Sequence, residues 1–158
     1  MVFQVARSIL HQIGPAQRGR IDVLRSWDLS DVELRVKARM QWSDEFARDV
    51  VGEYRKFMAL IILSPEKTYG MVETVDEVWH QHLLNTRDYL SMCRAIVGGV
   101  IHHEQAPTGQ APSPETAKVR DETLHDLSDK FQGPPNAVWS KGIQSLAKCC
   151  NSCSHGRD

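Results

Sequence analysis

Asp76 and His80 stand four residues apart in the run Val75-Asp76-Glu77-Val78-Trp79-His80-Gln81-His82, and a second pair of imidazoles, His102-His103, follows downstream. On a helix such a spacing sets one side chain a turn above the other, so a carboxylate and an imidazole reach a single divalent metal such as zinc. His102 or His103, returned by a turn at Gly98-Gly99, and Glu53 from an earlier helix would complete a carboxylate and histidine site of the kind built inside helical bundles. Three protein ligands and an open position for water are what a hydrolytic metal centre needs. The same residues also have a purely structural reading. Asp76 in a first helical turn favours the helix dipole, His80 can face solvent, and Glu53 can pair with Arg55, Arg87 or another cation.

A second constellation lies on a neighbouring stripe, where His82, Thr86, Tyr89 and Cys93 border the apolar face. Small polar groups at such a border hydrogen-bond to adjoining segments, and a lone cysteine is most often a small buried hydrophobe. A Cys/His nucleophile would need a lowered thiol pKa and a third orienting group. The tail Cys149-Cys150-Asn151-Ser152-Cys153-Ser154-His155 holds only one half of a zinc knuckle, and Ser154 separates Cys153 from the histidine that a covalent haem motif requires next to it. No phosphate-binding glycine loop, dinucleotide fingerprint, serine elbow or paired-histidine zinc protease motif is present.

The elements that must position these groups read as helices. Ala6, Ile9 and Ile13, with Val2 before them, recur at helical spacing and stop at Gly14-Pro15; a short apolar piece follows with Ile21, Leu24 and Trp27. Ser30-Asp31-Val32-Glu33 predicts a capping box, opening a helix with Val32, Val36 and Met40 on its stripe. Ser43 caps a third helix, with Phe46, Val50, Tyr54, Phe57 and Ile61 inward and Glu53 leaning to the same face. A second capping box, Thr74-Val75-Asp76-Glu77, opens the longest helix, running from about Thr74 to Val97. Residues Ala106 to Pro114 form a loop, and Ser113 caps a helix with Pro114 at its first position. Gly133-Pro134-Pro135 ends that helix, and a short one spans Val138 to Leu146. No segment alternates as a strand should. The expectation is an all-α fold: a compact multi-helix bundle with a central long helix, a single domain over residues 1–148 and a flexible Cys-containing tail over 149–158.

The bulk composition agrees with one packed domain. The chain has 158 residues, 41% hydrophobic and 25% charged, enough to bury about two thirds of its unfolded surface. Nineteen basic against twenty acidic side chains leave a net charge of -1, which argues against the positive field on which non-specific nucleic-acid binding depends. The longest apolar run, Met58 to Leu63, is far shorter than the roughly 20 residues of a membrane span, so an integral membrane protein is not expected. The cysteines form no extracellular disulfide framework, which points to an intracellular setting. Arg7, Arg18 and Arg20 precede the first acid, Asp22, a start that faintly resembles an organellar presequence. The compartment is therefore the cytoplasm or an organelle such as the mitochondrion.

The combination Val75-Asp76, Trp79-His80, His82-Leu83-Leu84, Thr86, Tyr89, Cys93, Gly98 and Ile101-His102-His103 resembles the domain shared by plant glycine-rich domain proteins and their bacterial relatives. The likeness extends from Glu53-Tyr54 and Phe57 to Phe131, Gly133 and Trp139. It implies Asp76, Trp79, His80, His82, Thr86, Tyr89, Cys93 and His103 as motif residues, and no agreed enzymatic activity. The chain departs from the pattern in lacking a proline soon after the histidine pair and in placing Gln132 between Phe131 and Gly133. Two functions follow as expectations. The first is a non-catalytic interaction domain or accessory subunit that docks on a protein partner within a larger assembly. The second is a metal-dependent hydrolase using Asp76, His80 and His102 or His103, with Glu53 as fourth ligand or general base.

Overall fold

A computed structural model describes residues 3–105, 113–140 and 143–149. Its longest element is α4 (Asp44–Leu63), whose Ser43 hydroxyl accepts the Phe46 N–H and whose first turn carries Asp44 and Glu45. From Val50 onward almost every side chain of α4 is buried, Tyr54, Phe57, Met58 and Leu60 completely. A helix buried nearly all round occupies the middle of a domain, so α4 is the central helix.

The N-terminal half wraps it. α1 (Arg7–Gln12) turns at Ile13 into α2 (Pro15–Ser26). The piece with Ile21, Leu24 and Trp27, expected only as a short apolar stretch, is therefore a twelve-residue helix opened by Pro15 at its N-terminus. Its last carbonyls are not left to water: the Arg55 guanidinium of α4 donates to Leu24 O at 2.5 Å and Trp27 O at 2.8 Å. α3 (Ser30–Met40) begins where expected but without the capping box; Asp28 Oδ1 instead accepts the Ser30 N–H at 2.9 Å, one position too early for Ser30 to serve as cap.

The expected helix over 74–97 is two helices, α5 (Glu73–Leu84) and α6 (Thr86–Val97), broken at Asn85 (φ -93°, ψ 68°). The second capping box is also absent, because Val72 occupies the cap position of α5 and the helix opens directly from a strand. The end of α6 agrees with expectation: Gly98 takes a left-handed φ of 73° that a glycine tolerates without strain. In α7 (Pro114–Lys130), Ser113 accepts the Thr116 N–H, again as its sequence predicts.

The helical fold carries one addition, a three-stranded antiparallel sheet of order β1-β3-β2, formed by β1 (Thr68–Val72), β2 (Ile101–Gln105) and β3 (Ile143–Cys149). The helix expected over Val138 to Leu146 is instead a 3-10 turn (Ala137–Ser140) followed by β3. Thr68 pairs with Lys148, and His103 with Ala147. β1 is buried on both faces, so it lacks the alternation that marks a half-exposed strand. α7 is fastened to β1 by Thr123, which accepts the Gly70 N–H at 2.9 Å, and by Asp126, which accepts from Tyr69 Oη at 2.6 Å and Lys67 Nζ at 2.8 Å. Phe131 at the end of α7 bridges to Val5 and meets Phe3 edge-on at 5.4 Å, closing the N-terminal segment against it. Val2, most of the loop expected over 106–114, and Cys150, Cys153 and His155 lie outside the described residues.

A candidate Asp/His metal centre

Asp76 lies in the first turn of α5, His80 one turn further on, and β2 runs alongside. The three side chains that meet are Asp76, His80 and His103, each with one donor atom within 4.8 Å of the others. His103 Nε2 is 2.6 Å from Asp76 Oδ1, and His80 Nε2 is 3.6 Å from Asp76 Oδ2. The two imidazole rings lie 4.7 Å apart. His80 turns its other nitrogen, Nδ1, toward Glu77 Oε2 at 4.0 Å, the side from which an outer carboxylate orients a metal-binding imidazole. Glu77 is itself anchored by Arg39 at 2.6 Å. The Asp76 carboxylate and the His103 ring are nearly buried, with side chains 10% and 8% exposed, whereas that of His80 is 34% exposed, so the cluster opens to solvent at His80.

Of the other expected ligands, neither joins. Glu53 is buried on α4, as its lean to the apolar face requires, but it is occupied: Oε1 takes Lys56 Nζ at 2.7 Å and Oε2 takes the Trp139 indole N–H at 2.8 Å. The cation is thus Lys56, one turn along its own helix, rather than Arg55 or Arg87. His102 and His103 are neighbours on a strand, so their side chains point to opposite faces; His103 enters the cluster and His102 is exposed.

Why His103 arrives there is set by Trp79 and Tyr89. The Trp79 indole is fully buried, lies 4.4 Å from the His103 ring, and donates its N–H to Tyr89 Oη at 3.1 Å. Tyr89 Oη in turn donates to Ile101 O at 2.5 Å. That chain of contacts ties α5, α6 and the first residue of β2 together two positions before His103. Burial pushes the Tyr89 hydroxyl well above its ordinary pKa, which keeps it a donor.

The second constellation is a separate, closed network. His82 is wholly buried; Nδ1 meets Tyr54 Oη at 2.9 Å and Nε2 meets Asp88 Oδ2 at 2.8 Å, while Asp88 also accepts the Trp27 indole N–H at 3.4 Å. Burial holds Tyr54 far above the usual phenol range and pushes His82 below its ordinary value, against the opposing pull of Asp88. A neutral ring that accepts from Tyr54 and donates to Asp88 satisfies all three groups. With both ring nitrogens so engaged, His82 is not the base of a Cys93 nucleophile; Cys93 is buried beside Tyr89. Thr86 is exposed at the start of α6 and belongs to neither network. Asp88 had no sequence signal of its own, because only the break at Asn85 turns it back toward His82.

Beside the cluster runs an open groove of about 530 Å³. His80, His102 and His103 form part of its wall; Leu83 and Leu90 come from the two helices, and Val100 and Ile101 from the approach to β2.

Fold and cluster together define a helical protein with a two-histidine, one-carboxylate group at a helix–strand junction. The chain belongs to the UCP032817-like family, whose model matches residues 20–123. That membership replaces the glycine-rich domain protein family suggested by the motif residues. Trp79, Tyr89 and Cys93 sit in the core and His82 in a buried brace. No curated protein and no solved structure matches the chain. Among the described residues no helix is long and apolar enough to cross a membrane.

Proposed function

We propose that Asp76, His80 and His103 hold one divalent transition metal, zinc first among those to test, and that the metal serves a hydrolytic reaction in the adjoining groove. The observation that carries this reading is the convergence of the three donor atoms within 4.8 Å. Two imidazoles and a carboxylate are a donor set suited to zinc and its first-row neighbours. Such a set leaves coordination positions for water and substrate, and a bound metal supplies an activated water near neutral pH. The chain's own contribution is positional: Trp79 holds the His103 ring, and Glu77 stands behind His80. The test is metal content of untagged protein, by elemental analysis and titration calorimetry, for the wild type, His80→Ala and His103→Ala. One zinc per wild-type chain with loss in both variants is expected; a wild type that takes up no stoichiometric metal retires the reading.

A second reading is an interaction domain or accessory subunit that docks on a protein partner, in an intracellular setting, cytoplasmic or organellar. It is supported by Leu34 and Leu84, which are 63% and 75% exposed. Crosslinking followed by size-exclusion chromatography tests it: a chain that runs alone under gentle lysis counts against a stable partner.

A further inference from the structure

We infer that the groove beside Asp76, His80 and His103 takes a small carboxyl compound, an acid or ester whose oxygen end reaches the cluster and whose unbranched aliphatic tail lies along Leu83, Leu90 and Val100. The inference rests on the metal reading and names its ligand class. Three features of the groove select that chemistry.

The first is the division of its wall. His80 and His103 share Asp76 and stand together, whereas Leu83, Leu90, Val100 and Ile101 supply aliphatic surface from three separate segments. Leu83 and Leu90 are only partly covered by the core they pack against, so part of their surface is free to cover a tail. The second is charge. Among the described residues no Asp, Glu, Lys or Arg lines the groove; Asp76 is buried. Phosphorylated ligands are ordinarily met by guanidinium or ammonium groups, and their absence from this wall favours a singly charged or neutral oxygen end. The third concerns stacking. Among the described residues Tyr89 is the one six-membered aromatic ring in the wall, and it is 3% exposed, so it offers little face to a planar base and an aliphatic tail is better matched. The volume of about 530 Å³ lies in the range of small-molecule sites.

The experiment uses the full chain loaded with zinc and a series of straight-chain alkyl hydroxamates, from acetyl to octanoyl, followed by titration calorimetry. Each added methylene is expected to tighten binding by up to about fourfold until the groove is filled, as burial of one CH₂ allows. Two partly exposed positions give variants that need not disturb folding, Leu83→Ser and Val100→Ser. Each should flatten the chain-length dependence while zinc affinity, measured on the same protein, stays unchanged. Zinc uptake with affinities independent of chain length overturns the inference and leaves the metal reading standing. Tighter binding of an alkyl phosphate than of the hydroxamate of equal length also overturns it. Absence of zinc uptake removes both.

Discussion

The Asp76 carboxylate and the His103 imidazole, 27 positions apart in the chain, meet at 2.6 Å where β2 passes the first turn of α5. Their contact joins the sheet to the helical layer. Asp76→Ala should therefore act twice. Without metal it leaves a buried imidazole lacking its acceptor, a loss of about 1–3 kcal/mol in stability. With zinc at roughly a hundred times its dissociation constant, the wild type should gain about 2.7 kcal/mol and the variant nothing. Thermal melts with and without zinc measure both, and an equal rise in Tm for the two proteins would speak against Asp76 as a ligand.

Glu53 provides the contrast. Its two oxygens serve Lys56 and the Trp139 indole, so Glu53→Ala should cost about 1–3 kcal/mol by stranding that buried N–H. Glu53→Gln, which retains an acceptor for Trp139, should cost less. Neither change should alter zinc affinity; a Glu53 variant that loses metal would place this residue in the site after all.

Asp126 gives the fold a pH dependence. Burial by itself would raise its pKa, but hydrogen bonds from Lys67 and Tyr69 and the nearby Lys130 charge outweigh that and hold the carboxyl below its ordinary value. A carboxyl depressed on folding contributes stability that is complete above its unfolded pKa, near 4, and is lost as pH falls through the folded value. The stability advantage of the wild type over Asp126→Asn should thus be largest at neutral pH and shrink below about pH 4. Urea unfolding at pH 7 and pH 3.5 checks the sign; an advantage that grows with acidity contradicts it.

Gly98 aims the chain from α6 into β2. Its φ of 73° penalises any side chain, although nothing lies within 4 Å of the place a Cβ would occupy. Gly98→Ala should cost about 1–2 kcal/mol from backbone strain alone, with zinc binding retained. A neutral effect on Tm would mean that the turn relaxes to another conformation.

Much of the helical framework was legible in the sequence because its signals are local. Ser43 and Ser113 cap α4 and α7 through hydroxyls three residues from their targets, and Gly98 ends α6 through its own φ. The pairing of Asp76 with His80 needed only one helical turn. The strands were not legible: β1 is five residues buried on both faces, and β3 lies between β1 and β2 although it comes last in the chain. Asn85 carried only a weak breaker signal, asparagine stopping helices less often than glycine or proline, and the apolar pattern continues past it to Val97.

The amino-acid order alone determined a helix-rich domain, an inward-facing Glu53, and an Asp76/His80 couple awaiting a partner from the histidine pair, since propensity, capping and periodicity act within a turn or two. Only tertiary packing decided which partner came. Strand pleating turned His103 in and His102 out, Trp79 and Tyr89 held β2 against α5, and Trp139 with Lys56 claimed Glu53. Those choices depend on contacts between residues far apart in sequence, and long-range contacts are settled by which buried donors and acceptors can all be satisfied at once.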